Sequence, residues 1–87
     1  MNRAVQTVTL VTVTPRDELV PVRSTVGFRQ DDVVQLVTRG EDRRETMRVV
    51  RVIAHVALVV DRWEARPGLF GRGAGVEVIG RVPVGKC

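Results

Sequence analysis

Aromatic side chains are scarce in this 87-residue chain, which has no tyrosine, one tryptophan and two phenylalanines. Trp63 and Phe70 both fall in a stretch rich in glycine and arginine, RWEARPGLFGRGAG (residues 62–75), where no regular secondary structure is expected. Small proteins ordinarily use aromatic side chains in the core, because each one buries a large apolar area. Either this stretch therefore folds back onto the core, or it forms a surface that another molecule contacts.

Cysteine and histidine occur once each, as Cys87 and His55. A single cysteine cannot form an intramolecular disulfide, and one cysteine with one histidine cannot supply the four ligands of a structural zinc site. We therefore expect no metal and no cofactor. A domain of this size without disulfides or metal often gains stability by forming oligomers.

Catalytic groups are also missing from the sequence pattern. His55 lies in an apolar run without a nucleophile beside it, and we expect a half-exposed histidine in a turn. The three adjacent acidic pairs fall in predicted turns, where carboxylates are usually solvated. They are Asp17-Glu18, Asp31-Asp32 and Glu41-Asp42. We predict no catalytic residue and expect that the protein is not an enzyme.

Long apolar runs are absent as well. Residues 1–10 contain no continuous apolar segment of the kind found in signal peptides. The longest apolar stretch, residues 49–60, is interrupted by Arg51 and His55, and it is too short and too charged to span a bilayer. We expect a protein that is made and used in a cytoplasm, with no membrane and no small-molecule substrate among its partners.

Charge is abundant and mainly positive. Fourteen basic residues against ten acidic ones give a net charge of +4, and all the basic residues except Lys86 are arginine. The arginine guanidinium makes planar, bidentate contacts with carboxylates and phosphates, so such a surface suits nucleic acids and acidic proteins alike. Acidic residues are interspersed among the arginines, which argues against a dedicated DNA-binding tail; a mixed, soluble surface remains an equal alternative.

Twenty valines determine the expected fold class. β-Branched residues favour strands, and no segment has the apolar 3.6-residue period of a helix. We predict one all-β domain over residues 1–87, a small barrel or compact sandwich of about six short strands. The expected strands cover residues 5–14, 19–28, 33–38, 46–53, 56–60 and 76–82, with the long Gly/Arg-rich loop before the last strand.

Particular residues refine this prediction. Pro21 indicates an edge strand, because proline cannot donate to a ladder. Residues 39–42 are expected to form a hairpin turn, and Ala54-His55 marks either a reversal or a bend in one long strand. Alternation predicts that two sets of residues each share a face: Val20, Val22, Val26 and Phe28 in one strand, and Met47, Val49, Arg51 and Ile53 in another.

Nucleic-acid binding is one function that these features favour. Small β-barrels commonly bind nucleic acid through a basic face and stacking aromatic rings. Trp63 and Phe70 could stack on bases, and Arg62, Arg66 and Arg72 could contact phosphates from the same loop. Against this function, no two aromatic residues alternate along one strand. The loop is also not followed by a predicted helix, so it does not resemble a phosphate-binding loop.

Residues 56–82, VALVVDRWEARPGLFGRGAGVEVIGRV, resemble the C-terminal half of the small head-closure, or head-to-tail stopper, proteins of long-tailed bacteriophages, particularly those of actinobacterial hosts. The shared pattern is a strand ending in Val60-Asp61, then Trp63, then a Pro/Gly/Phe loop (residues 67–71) and a final strand (residues 75–82). The start, TVTLVTVTPRDEL, is similar to the first strand and turn of that family.

The resemblance implies a non-enzymatic virion protein. Such proteins form a ring, usually six-fold, between the portal and its adaptor on one side and the tail on the other, and they help to retain the packaged DNA. We expect self-association through the loop, with apolar anchors rimmed by arginines; Arg62, beside Asp61, is expected to be solvated. The expected interface residues are Trp63, Arg66, Leu69, Phe70 and Arg72. A capsid decoration protein or a tail protein is an alternative within the virion.

Overall fold

Six antiparallel strands account for the regular structure in the computed structural model, which describes residues 5–38, 43–64 and 66–81. No helix occurs within these residues. The strands are β1 (Gln6–Val8), β2 (Leu19–Pro21), β3 (Asp32–Val37), β4 (Arg44–Ile53), β5 (Ala57–Asp61) and β6 (Gly75–Arg81). The all-β prediction is therefore confirmed, including the long loop before the last strand.

The strands form one curled sheet in the order β1-β6-β3-β4-β5-β2. The two central hairpins, β3–β4 and β4–β5, connect strands that are adjacent in sequence, whereas β6 crosses to the far side of β3. Just beyond β1 and β2, an antiparallel bridge joins Thr9 to Val22, and the Leu10 amide donates to the Pro21 carbonyl at 3.0 Å. The two edges of the sheet therefore meet at one point, and the sheet has the form of a half-open barrel.

The inner face of the curled sheet holds one apolar core. Val34 and Leu36 of β3 and Met47 and Val49 of β4 are fully buried, as the period of two in a half-buried strand requires. Phe70, from the long loop, is the largest fully buried side chain. The whole core cluster is Val13, Val20, Val22, Phe28, Val34, Leu36, Met47, Val49, Leu58, Val60, Phe70, Ala74 and Val76.

A β-bulge in β4 corrects one of the predicted faces. The partner of Val49 and the partner of Arg51 are adjacent in β5, so Val50 is an extra residue in β4. A bulge of this kind shifts the alternation by one residue. Arg51 consequently lies exposed on the outer face, and Val52 packs against the core in its place. The prediction that Arg51 shares the face of Met47 is therefore wrong.

The second strand is shorter than predicted. β2 ends at Pro21, and a turn at Val26-Gly27 follows, in which Gly27 has a φ of 87°. Val26 is 76% exposed whereas Val20 is fully buried, so the prediction that the two share a face is wrong. The edge position of Pro21 is confirmed, and so is the reversal after β4, where His55 adopts a φ of 67°. The predicted turn at residues 39–42 lies outside the described residues.

Candidate interaction surface

The loop between β5 and β6, here called the 62–74 loop, is anchored at its start by a buried ion pair. The guanidinium of Arg62 donates from Nε to Oε2 of Glu45 at 3.0 Å and from Nη2 to Oε1 at 2.7 Å. The two side chains are only 4% and 2% exposed. This is the bidentate geometry in which arginine and carboxylate bind most strongly. The expectation that Arg62 is solvated is therefore wrong.

The same pair connects three parts of the chain. Arg62 also donates to the carbonyl oxygens of Thr14, Asp17 and Gly68. The Gly68 amide donates to Oε1 of Glu45 at 2.7 Å, so both charged groups also bind the loop backbone. Removal of one member would leave a buried charge and several polar groups without partners. Because such a loss is strongly destabilising, the pair and its backbone contacts hold the loop in one position.

Phe70 forms the second anchor of the 62–74 loop. Its side chain is fully buried, and its backbone makes a short antiparallel bridge with Val13. The Val13 amide donates to the Phe70 carbonyl at 2.7 Å, and the Phe70 amide donates to the Val13 carbonyl at 2.8 Å. Phe70 therefore belongs to the core of its own subunit. The prediction that its ring contacts another molecule is wrong, because the ring has no exposed surface.

A third anchor lies at the end of the loop. The buried hydroxyl of Thr9 accepts hydrogen bonds from the amides of Gly73, at 3.0 Å, and Ala74, at 3.1 Å. Gly73 has a φ of 88°, a conformation that glycine adopts without steric cost. The turn brings Ala74 into the core immediately before β6 begins.

Four other residues of the loop point away from the core. Trp63 is 48% exposed and Leu69 is 50% exposed, although both are large and apolar. Arg66 and Arg72 are exposed as well. The predicted site is thus divided: Phe70 is withdrawn into the core, while Trp63, Arg66, Leu69 and Arg72 remain available on one anchored loop. We refer to these four residues as the loop surface.

Glu45 was not predicted as a functional residue, although the alternation of β4 places it on the buried face. Glu45, Met47 and Val49 are two residues apart along β4, so they lie on the same inner face. A carboxylate at a core position requires a buried cationic partner or equivalent hydrogen-bond donors. The identity of that partner as Arg62 could not be read from the alternation, since it depends on how the loop crosses the open end of the barrel.

A second apolar surface lies on the outer face of the sheet. Leu19 of β2 faces Val59 of β5, and Pro21 faces Ala57, which in turn faces Ile53 of β4. Their sequence neighbours Val20 and Leu58 are fully buried on the inner face, so these residues lie on the outer face, where Ala57 is itself fully buried and Pro21, Ile53 and Val59 are half-buried. Leu19 is 50% exposed. An outer face of an antiparallel sheet is ordinarily polar, so this patch, here called the β2–β5 patch, is an unusual feature.

The remaining outer surface is mainly basic. Eight arginines of the described residues are exposed: Arg16, Arg23, Arg29, Arg43, Arg44, Arg51, Arg66 and Arg72. Within the described residues there is no cluster of three or more histidine, cysteine or acidic side chains able to hold a metal ion. Nor do residues 5–38, 43–64 and 66–81 include a helix with the length and apolar character needed to cross a bilayer.

Comparison with models of protein families, with curated proteins and with solved structures gives no match to this chain. The features that bear on function are therefore the loop surface, the β2–β5 patch and the sequence resemblance to phage stopper proteins.

Proposed function

We propose that this protein is a structural component of a phage virion, a head-to-tail connector of the stopper type that forms a ring between the portal side and the tail. The proposal is supported by the resemblance of residues 56–82 and of the first strand to that family. The observation that carries it is the anchored loop, which leaves Trp63 and Leu69 half exposed and Arg66 and Arg72 exposed.

Ring closure requires two different, complementary surfaces on each subunit, because each interface in a ring is heterologous. The loop surface and the β2–β5 patch are two different surfaces, and each exposes at least one large apolar side chain: Trp63 and Leu69 on the loop, and Leu19 on the patch. Exposed carboxylates adjoin the patch: Glu18 precedes Leu19, and Asp61 lies two residues after Val59 on the same outward face of β5. These carboxylates could pair with Arg66 and Arg72 of the next subunit, which would give the apolar centre a charged rim.

The energy available at such a contact is substantial. A tryptophan side chain buries on the order of 150–250 Å², and about 25 cal/mol is gained for each Å² of apolar area removed from water. Half of the Trp63 ring is already covered in the subunit, so roughly 2–3 kcal/mol remains for association before ordering costs. The three anchors reduce those costs, since a loop held in one position loses little conformational freedom when it binds.

The experiment is a measurement of mass in solution and of position in particles. We expect the pure protein to form a closed oligomer near six times the subunit mass, measured by light scattering and by imaging of single particles. Trp63→Ala and Leu69→Ala should shift the equilibrium toward the monomer. Ile79→Ala is the matched control, because Ile79 is 50% exposed like Leu69 but lies outside both surfaces.

Two results together would contradict the proposal: a monomer at all accessible concentrations, and absence of the protein from purified phage particles. A ring found elsewhere in the particle would instead identify a capsid decoration or tail protein. Position next to the portal adaptor and the tail end distinguishes the connector from these two alternatives.

Nucleic-acid binding is the second candidate, because the exposed Trp63 ring shares its loop with two exposed arginines. Such binding would depend steeply on salt concentration, since it is driven by the release of counterions from phosphates. Fluorescence of Trp63, the only tryptophan, would report base stacking directly. No quenching by single-stranded or double-stranded DNA or RNA at low salt would exclude this function.

A further inference from the structure

The first strand of the sheet has an edge that is only partly paired. β1 forms its ladder with β6 on one side, where the Val78 amide donates to Val5 and the Thr9 amide donates to Ala74, both at 2.9 Å. Backbone groups of successive residues in a strand point to opposite sides. The N–H and C=O groups of Gln6, and the N–H group of Val8, therefore point away from β6.

Residues 23–24, which follow β2, cover this edge only at one end. The Arg23 amide donates to the Val8 carbonyl at 3.0 Å, but the next amide, that of Ser24, donates to the hydroxyl of Thr7 at 2.9 Å rather than to its backbone. Beyond this point β1 and the segment that follows β2 separate. An open cleft of about 480 Å³ results, lined by Gln6, Thr7, Val8, Arg23 and Ser24.

The chemistry of the cleft is specific. Its floor carries the N–H and C=O groups of Gln6 and the N–H group of Val8, which make no backbone hydrogen bond to another described residue. Its lining offers the hydroxyl group of Ser24. Arg23 is exposed and takes part in no ion pair with any described residue. An unpaired strand edge is a template for the addition of another strand, and a free guanidinium beside it favours a carboxylate.

We propose that this cleft binds an extended acidic peptide segment of a partner protein, which adds to the sheet along β1 and places a glutamate or aspartate side chain against Arg23. Main-chain hydrogen bonds to Gln6 and Val8 supply affinity, and the contact with Arg23 selects for the acidic side chain. The proposal does not depend on ring formation, because neither the loop surface nor the β2–β5 patch contributes to this cleft.

The experiment is a titration of the whole ¹⁵N-labelled protein with a synthetic peptide in which valine and threonine alternate with glutamate, acetylated and amidated at its ends. We expect the largest amide shifts at Gln6, Val8, Arg23 and Ser24, with the Gln6 proton moving downfield as it gains a hydrogen bond. Replacement of each glutamate by glutamine should weaken binding about tenfold, which corresponds to about 1.4 kcal/mol.

Two controls separate strand addition from general adhesion. N-methylation of the peptide at the positions whose amides face β1 should abolish binding, whereas N-methylation at the alternate positions should leave it unchanged. Gln6→Pro removes only an amide that faces the cleft, so the ladder with β6 is retained while affinity falls. Arg23→Gln should reduce affinity for the glutamate peptide to that of the glutamine peptide.

Three outcomes would overturn the proposal. One is the absence of shifts at millimolar peptide, and another is a set of shifts centred on other residues. The third is equal binding of the two N-methylated peptides. If the shifts at Gln6 and Val8 appear instead when the protein alone is concentrated, the occupant of the edge is a second copy of this chain rather than an acidic partner.

Discussion

Neighbouring residues in the 62–74 loop have opposite environments. The side chain of Arg62 is 4% exposed and Trp63 is 48% exposed; Leu69 is 50% exposed and Phe70 is fully buried. In each pair one residue fixes the loop to the barrel and the other is left on the surface. The comparison shows how a small domain can use one loop for stability and for contact with a partner, because adjacent side chains of an extended backbone point in opposite directions.

Separate truncation of Phe70 and Leu69 tests whether these two neighbours have different roles, and it has the largest expected effect. Phe70→Ala removes the largest fully buried side chain, and we expect a loss of about 3–5 kcal/mol in the free energy of unfolding. Leu69→Ala should change that free energy by less than about 0.5 kcal/mol while weakening association. Urea denaturation and light scattering measure the two effects. Equal losses of stability would mean that both residues belong to the core.

The buried ion pair gives the next prediction. Glu45→Gln leaves the Arg62 guanidinium buried without a counter-charge, and we expect a loss of about 3–5 kcal/mol in the free energy of unfolding. Since the pair holds the loop, the Trp63 ring should also become more accessible in the folded variant, and a soluble quencher should reduce its fluorescence more strongly. Arg62→Met combined with Glu45→Leu should recover much of the stability, because no buried charge remains. A double variant as unstable as Glu45→Gln would show that the hydrogen bonds, not the charge, dominate.

Much of the fold follows from local pattern. Alternation of valines located six strands, and the edge position of β2 followed from Pro21 because a proline has no amide to donate. The errors have a common physical origin. Val26 was placed on the face of Val20, and Arg51 on the face of Met47, by a strict period of two. A turn interrupts the alternation at Val26, and a bulge shifts it by one residue before Arg51. Neither feature has a residue signature strong enough to be predicted.

The candidate site was predicted less completely than the fold. Composition directed attention to the 62–74 loop, and four of its five expected contact residues are exposed there. Whether Phe70 or Trp63 enters the core depends on the bridge between Phe70 and Val13, residues that are 57 positions apart. Contacts at this separation depend on tertiary geometry, and local propensity does not specify them. For the same reason, the sequence did not predict that Arg62 is the partner of Glu45.

Two glycines of the 62–74 loop, Gly71 and Gly73, also differ in their backbone conformation. A Cβ atom would meet nothing within 4 Å at either Gly71 or Gly73, but only Gly73 has a positive φ. Gly73→Ala should therefore cost about 1–2 kcal/mol through backbone strain alone. Gly71→Ala should be neutral or slightly stabilising, since alanine reduces the entropy of the unfolded chain. Thermal unfolding of the two variants tests this, and similar midpoints would show that the turn relaxes.

The smallest effect is expected at the other ion-paired arginine. Arg48 lies 3.9 Å from Asp31 and 3.9 Å from Asp61, and its side chain is 35% exposed. Its Nε atom is buried and has no hydrogen-bond partner among the residues that the structure describes, so removal of the guanidinium also removes this unsatisfied donor. We expect Arg48→Gln to change the free energy of unfolding by less than about 1 kcal/mol, and added salt to reduce the difference further. A loss of unfolding free energy as large as that of Glu45→Gln would mean that the exposed ion pairs of Arg48 stabilise the protein as much as the buried pair of Arg62 does.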